Sequence, residues 1–134
     1  MNSYATAGVS ALAGAAFGAA AIQALHAQAR KPPPAFAIAE ITIKDQDGYE
    51  KQFLPAIVES ISEKRGNSIV WGDGGEALLG PPPRDRVSVT QYENLDRARE
   101  WWNSQVTKNA VKIGQQYADI RVFIVEGASL PSPC

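Results

Sequence analysis

Residues 36–67 read FAIAEITIKDQDGYEKQFLPAIVESISEKRGN, and two periods meet inside them. From Phe36 to Lys44 the side chains alternate, with Phe36, Ile38 and Glu40 on one face and Ala37, Ala39, Ile41 and Ile43 on the other. Alternation with β-branched residues toward the end predicts a strand. Asp45 is placed to cap a helix, and beyond it the spacing changes to four: Tyr49, Phe53, Ile57 and Ile61 recur, with Leu54 and Val58 beside them. That spacing predicts a helix with one buried face. Pro55 lies well inside it and removes a backbone donor, so a kink or an irregular first half is expected. Lys64-Arg65-Gly66-Asn67 ends the helix, with cations in the last turn and Gly66 expected in the left-handed conformation just after it.

Working outward, Ser68 to Trp71 reads as a short second strand. Gly72 to Asp85, GDGGEALLGPPPRD, reads as a turn and irregular loop with room for a short extra strand at Glu76 to Leu79. Arg86 to Tyr92 alternates again and predicts a third strand. Asn94 offers a second cap, the helix after it carries Trp101 and Trp102, and a further helical stretch is expected from Thr107 to Tyr117. Ile120 to Glu126 predicts the last strand. The order is strand, helix, strand, strand, helix, strand: an α+β, ferredoxin-like βαββαβ arrangement in which helices cover one face of an antiparallel sheet. Because the alternation places apolar side chains on both faces, the uncovered face is expected to be buried against a second copy, forming a homodimer.

The chain has 134 residues, enough for one domain with one core. Its 13 Lys plus Arg against 14 Asp plus Glu give a net charge of -1, which argues against nucleic acid as a partner. The single cysteine, Cys134, is the last residue, so no disulfide forms within one chain. Residues 1–29 carry no Asp, Glu, Lys or Arg, and the apolar run from Ala5 to Leu25 is followed by HAQA. Ala27 and Ala29 stand in the A-x-A arrangement favoured by signal peptidase. Residues 1–29 therefore read as a signal peptide or hydrophobic leader cut after Ala29, with a periplasmic or secreted product. The alternative is an uncleaved membrane anchor carrying Gly14 and Gly18 as a GxxxG pair, and the membrane is then met only through this segment. Residues 30–35 read as a proline-rich spacer, 36–128 as the folded domain and 129–134 as a tail.

After Ala29 there is no histidine, and the only thiol is terminal. Histidine acid–base chemistry, a proximal-His haem site and a Cys/His zinc site are therefore excluded from the domain, and no cofactor is expected. GDGG at Gly72 to Gly75 lacks the GK[ST] of a phosphate-binding loop and reads as a turn. The residues that could line a pocket are Asp45, Tyr49, Arg86, Trp102, Ser104 and Glu126. Each has a structural reading beside it. Asp45 is a helix cap, Tyr49 a core ring, and Ser104 a hydroxyl bonded to backbone at a helix end. Arg86 and Glu126, at strand ends, form an ion pair across the sheet edge, or Arg86 instead holds an anionic or enolate-like group. On a helix centred at Ala98, with about 100° per residue, Trp102 falls in the apolar stripe with Leu95 and Val106, and Trp101 at its edge.

DQDGY at Asp45 to Tyr49, Gly66, Arg86, WWNS at Trp101 to Ser104 and Glu126-Gly127 occur in an order that resembles domain-of-unknown-function family 1330, within the dimeric α/β-barrel superfamily. The resemblance spans about Ala35 to Ala128 and implies a ferredoxin-like fold and dimerisation. Two departures stand out. After the serine the family usually shows proline, an acidic residue and tyrosine, where this chain has Gln105, Val106 and Thr107; an arginine common in the last helix is here Gly114. Some superfamily members hold haem, for which this chain lacks the ligand. Two functional readings follow. One is a small-molecule-binding or structural dimer without chemistry. The other is a cofactor-independent enzyme, monooxygenase- or isomerase-like, acting on a small and partly apolar metabolite. In it Arg86 polarises, Tyr49 or Asp45 handles a proton, and Trp102 forms the apolar wall.

Overall fold

The computed structural model describes residues 31–129. The leader with its Ala27 and Ala29, and the chain end from residue 130, lie outside the described residues. The chain forms β1 (Ala35–Ile43), a helical turn α1 (Gln46–Gly48), a π-helical turn (Tyr49–Phe53), α2 (Leu54–Glu63), β2 (Asn67–Asp73), β3 (Arg86–Tyr92), α3 (Leu95–Asn103), α4 (Gln105–Gln115) and β4 (Ala118–Glu126). The four strands pair antiparallel in the order β2-β3-β1-β4. This is the α+β, ferredoxin-like βαββαβ arrangement that the alternation and spacing predict.

The irregular first helix follows from Pro55. Its ring collides with the carbonyl four residues back and it donates no N–H. The chain answers with a π-helical turn just ahead, where the Leu54 N–H reaches Tyr49 O, and Pro55 then sits in the first turn of α2, where an N–H is not needed. The inserted residue keeps Tyr49, Phe53 and Ile57 facing the sheet, at 0%, 3% and 8% exposure. Each such buried side chain contributes about 1.5–3 kcal/mol before entropy is charged. Val58 does not join them; it is 55% exposed.

The stop signal of α2 is built differently from its sequence pattern. Arg65, not Gly66, adopts the left-handed conformation (φ 57°). Gly66 N–H bonds to Ile61 O (2.9 Å) and Arg65 N–H to Ser62 O (3.1 Å), the two bonds of a Schellman motif. Gly66 is required for closeness instead: a Cβ there would fall 2.7 Å from Ile61 Cγ2 and 2.9 Å from both Thr90 Cγ2 and Tyr92 Cε1. The expected extra strand at Glu76 to Leu79 is also absent. These residues form an irregular loop with no strand partner, and Leu78 and Leu79 are 89% and 97% exposed.

The second helical region is two helices, not one stripe followed by another. Ser104 is extended (φ -70°, ψ 149°), closing α3 and capping α4. Val106 therefore belongs to a new helix and cannot mark the buried side of α3. Without it, the buried face of α3 is Ala98 and Trp101, at 0% and 4%, while Trp102 is 40% exposed. The expected ranking of the two tryptophans is reversed.

Among the described residues no helix covers the opposite sheet face. Phe36 pairs with Val125, Ile38 with Phe123 and with Val89, and Val89 with Val70, making an apolar band across four strands. Phe123, Val125 and Val70 are 39%, 44% and 44% exposed. Glu40 and Arg121 form an ion pair on the same face (3.0 Å), and the Arg121 guanidinium lies over the Phe123 ring.

Candidate functional site

Between the helices and the covered sheet face lies a cavity enclosing about 40 Å³. Its origin is a mismatch of side-chain sizes. The sheet floor carries four small residues, Ala37 and Ala39 on β1 and Ser88 and Thr90 on β3, beside Ile41, Ile120 and Val122, while the walls include Trp71, Trp101 and Trp102. Alanine, serine and threonine cannot fill the space that large rings hold open. All three tryptophans of the chain thus border one apolar space.

Trp101 is the fixed wall. Its ring stacks on Tyr92 (centroids 5.4 Å apart, 30° between planes), and its indole N–H donates to Ser60 Oγ (3.1 Å). Ser60, wholly buried, donates in turn to Ile57 O (2.8 Å). Trp102 tilts against Trp101 (5.8 Å) and reaches solvent. Trp71 stands at another wall and links the cavity to a charged cluster.

That cluster is centred on Arg86, the first residue of β3. Its guanidinium lies 5.3 Å from the ring centroids of both Tyr49 and Trp71. Nε donates to Asp73 Oδ1 (2.6 Å), and Nη2 touches the same carboxylate. The strand register explains the pair, since Asp73 and Arg86 are direct partners across β2 and β3. The Arg86 side chain is only 11% exposed, against 75% for Asp73. Burial opposes the guanidinium charge, but the Asp73 carboxylate and the Tyr49 hydroxyl together outweigh it and hold the Arg86 pKa above its ordinary value. The Tyr49 hydroxyl is buried beside Arg86, but no group among the described residues meets it in hydrogen-bond geometry. Burial pushes its pKa up, and the neighbouring Arg86 charge draws only part of that back. Tyr92 is the second buried hydroxyl without a partner, and burial raises its pKa strongly.

The remaining candidates lie elsewhere. Asp45 caps α1, accepting from Gly48 N–H (3.2 Å), while its own N–H is bonded to Tyr117 O (3.0 Å). Ser104 donates to Trp101 O (2.8 Å), is bonded to Thr107 Oγ1 (2.9 Å) and accepts from Thr107 N–H (3.3 Å). Thr107, where the family has a tyrosine, is fully buried in this junction. Glu126 does not pair with Arg86. It lies opposite Ala35 on β1 while Arg86 lies opposite Ile41, six residues along the strand and roughly 20 Å away. Gly114, where the family has arginine, packs so closely that a Cβ would stand 2.6 Å from Phe53 Cδ2 and 2.8 Å from Ile120 Cδ1. Phe53 occupies the room a longer side chain would need.

Of the six residues selected from sequence, the structure brings Tyr49 and Arg86 together and puts Trp102 on the cavity. Asp45 and Ser104 are helix caps, and Glu126 is remote. Trp71, Trp101 and Asp73 were missed. The signal for Asp73 and Trp71 is the β2–β3 hairpin, closed by Gly74 N–H to Asp85 O (2.7 Å), which makes neighbours of residues 73 and 86. Among the described residues no group of three His, Cys, Asp or Glu is placed to hold a metal ion.

The model of the family described as domain of unknown function (DUF1330) matches residues 34–128. No curated protein matches the chain. Among solved structures, a protein of unknown function from Rhodopseudomonas palustris is 20% identical, with 79% of this chain and 93% of that one covered and a TM-score of 0.57. SnoaB, a cofactor-independent oxygenase from Streptomyces nogalater, is 5% identical over 75% of this chain and 99% of its own, with a TM-score of 0.52. A hypothetical protein from Arabidopsis thaliana is 10% identical over 76% and 96%, also at 0.52. At these identities the likeness is one of fold.

Proposed function

The chain belongs to the DUF1330 family, and from that premise we propose that it is an exported homodimer that binds a small, partly apolar molecule between its sheet and helices. The observation that carries the ligand reading is the cavity itself, apolar, floored in part by small residues and walled by all three tryptophans. Empty apolar space is a packing cost that a folded core ordinarily removes. The homodimer is supported by the apolar band on the uncovered sheet face, and export by the uncharged segment ending at Ala27-Gln28-Ala29.

Every tryptophan borders the cavity, so ligand entry has to alter the intrinsic fluorescence. The purified protein, titrated with a panel of small aromatic and carboxylate metabolites, is expected to show saturable quenching or a spectral shift. A panel without response removes the ligand reading. Light scattering at micromolar concentration is expected to give twice the protomer mass, with Phe123→Lys reducing it; a wild-type monomer refutes the dimer. Intact mass of periplasmic material is expected to begin at Arg30, and a full-length cytoplasmic chain refutes export.

A second reading, a cofactor-independent enzyme as SnoaB is, rests on the pairing of Arg86 with Tyr49. The raised Tyr49 pKa weakens it, since a phenol kept protonated at neutral pH donates a hydrogen bond and does not serve as a base. Asp45, the other candidate for the proton, is engaged in capping. Binding is therefore the reading placed first.

A further inference from the structure

The cavity alone, at about 40 Å³, is too small for a ligand of more than a few atoms. Ligand sites generally need several hundred Å³. The missing space lies on the other side of Trp102. A surface groove of about 380 Å³ runs along α4, lined by Trp102, Gln105, Lys108, Val111 and Lys112. Trp102 and Val111 line both spaces, so these two side chains stand where cavity and groove meet. Trp102 is the movable one: it is 40% exposed, and no hydrogen bond of its indole is found among the described residues, whereas Trp101 is tethered to Ser60.

The two ends of this path differ in chemistry. The inner end is apolar. At the outer end, Lys108 and Lys112 stand one helical turn apart on α4, and neither forms an ion pair among the described residues. Two ammonium groups beside an exposed indole suit an anion attached to an apolar body. The groove belongs to the helical side of the sheet, so the face proposed for dimerisation leaves it open.

We infer that cavity and groove form one site for an amphipathic anion, whose ring or short alkyl end enters past Trp102 and whose carboxylate or sulfonate head rests on Lys108 and Lys112. This inference rests on the ligand reading above and moves the polar end of the site from Arg86 to α4. Arg86 is already held by Asp73 and enclosed by two rings, whereas the lysines are exposed and form no ion pair among the described residues.

Two fluorescent probes separate the ideas: anilinonaphthalenesulfonate, and phenylnaphthylamine, which has the same rings without the anion. Both are expected to bind once per protomer. Lys108→Gln combined with Lys112→Gln is expected to weaken the sulfonate roughly tenfold, about 1.4 kcal/mol. The same pair of changes leaves the neutral probe unaltered. Added salt is expected to weaken only the sulfonate. Val111→Trp, which fills the shared wall, is expected to abolish both, while Phe123→Lys abolishes neither. If neither probe binds saturably, the ligand reading itself fails. If both bind but the lysine changes treat them alike, or Val111→Trp leaves the sulfonate bound, the ligand reading stands and the anionic site on α4 is refuted.

Discussion

Ser60→Ala removes one oxygen and leaves a buried donor without a partner. In the native fold the Trp101 indole N–H donates to Ser60 Oγ at 3.1 Å, and the Ser60 hydroxyl spends its own proton on Ile57 O at 2.8 Å. Both residues are buried, at 0% and 4% exposure, so water cannot replace the lost acceptor without the helices opening. An orphaned buried N–H costs about 1–3 kcal/mol. Against this, alanine is the better helix former inside α2 by up to about 0.5 kcal/mol. The expected net loss is about 1–2 kcal/mol, near 4–8 °C in Tm per kcal/mol for a domain of this size. Urea denaturation followed by circular dichroism at fixed protein concentration measures it. Trp101→Phe supplies the control, because it removes the donor and keeps a ring on Tyr92. In that background Ser60→Ala is expected to change stability by less than about 0.5 kcal/mol, giving a coupling energy near 1 kcal/mol or more. Equal losses in both backgrounds, or no loss in either, refute the hydrogen bond as the device that fixes Trp101.

Two further perturbations test other parts of the fold. The Tyr49 and Tyr92 hydroxyls are buried with pKa values raised above the ordinary 10.0, so the stability their neutral forms hold is fully present below pH 10 and drains away as pH rises toward the folded values. Above pH 10 the unfolding free energy from urea denaturation is expected to fall at up to about 1.4 kcal/mol per pH unit for each tyrosine, and Tyr49→Phe to remove one share of that slope; an unchanged slope in Tyr49→Phe refutes the assignment. At the end of α2, Arg65→Gly is expected to stabilise by about 1 kcal/mol by relieving a left-handed non-glycine residue, while Gly66→Ala destabilises by about 1–3 kcal/mol through the three close contacts of its new Cβ. Calorimetry showing the opposite order contradicts the division of roles between Arg65 and Gly66.

The architecture was legible because it is carried by short-range periodicity. Alternation in FAIAEITIK and RVSVTQY, spacing of four from Tyr49 to Ile61, and caps at Asp45 and Asn94 each act within a few residues, and each reappears in the fold. What was not legible depends on atoms far along the chain. Gly66 looks like a left-handed cap from its neighbours alone; only the approach of Thr90 and Tyr92 shows that it is there to admit them. The spacing of four finds Tyr49, Phe53 and Ile57 on the buried face of the first helical region, but it does not show that Val58 beside them is 55% exposed.

The site failed to be read for a related reason, and the two tryptophans show it. On an undivided helix, Leu95, Trp102 and Val106 share a side, and Trp101 is pushed to the margin. The inference breaks at Ser104, whose extended backbone starts a new helix with a new axis, so the angle of Val106 says nothing about α3. Arg86 shows the same error in a sheet. Its partner was sought at Glu126, the opposite end of the last strand, although a hairpin closed at Gly74 and Asp85 puts the partner thirteen residues upstream, at Asp73. In both places, deciding where one element ends determines which side chains can meet. Once α3 ends at Asn103 and β2 extends to Asp73, Arg86 is a neutralised, ring-enclosed cation and Trp102 a half-exposed ring on a groove shared with two exposed lysines. The open end of the cavity then points to α4, which no residue of the sequence-derived pocket occupies.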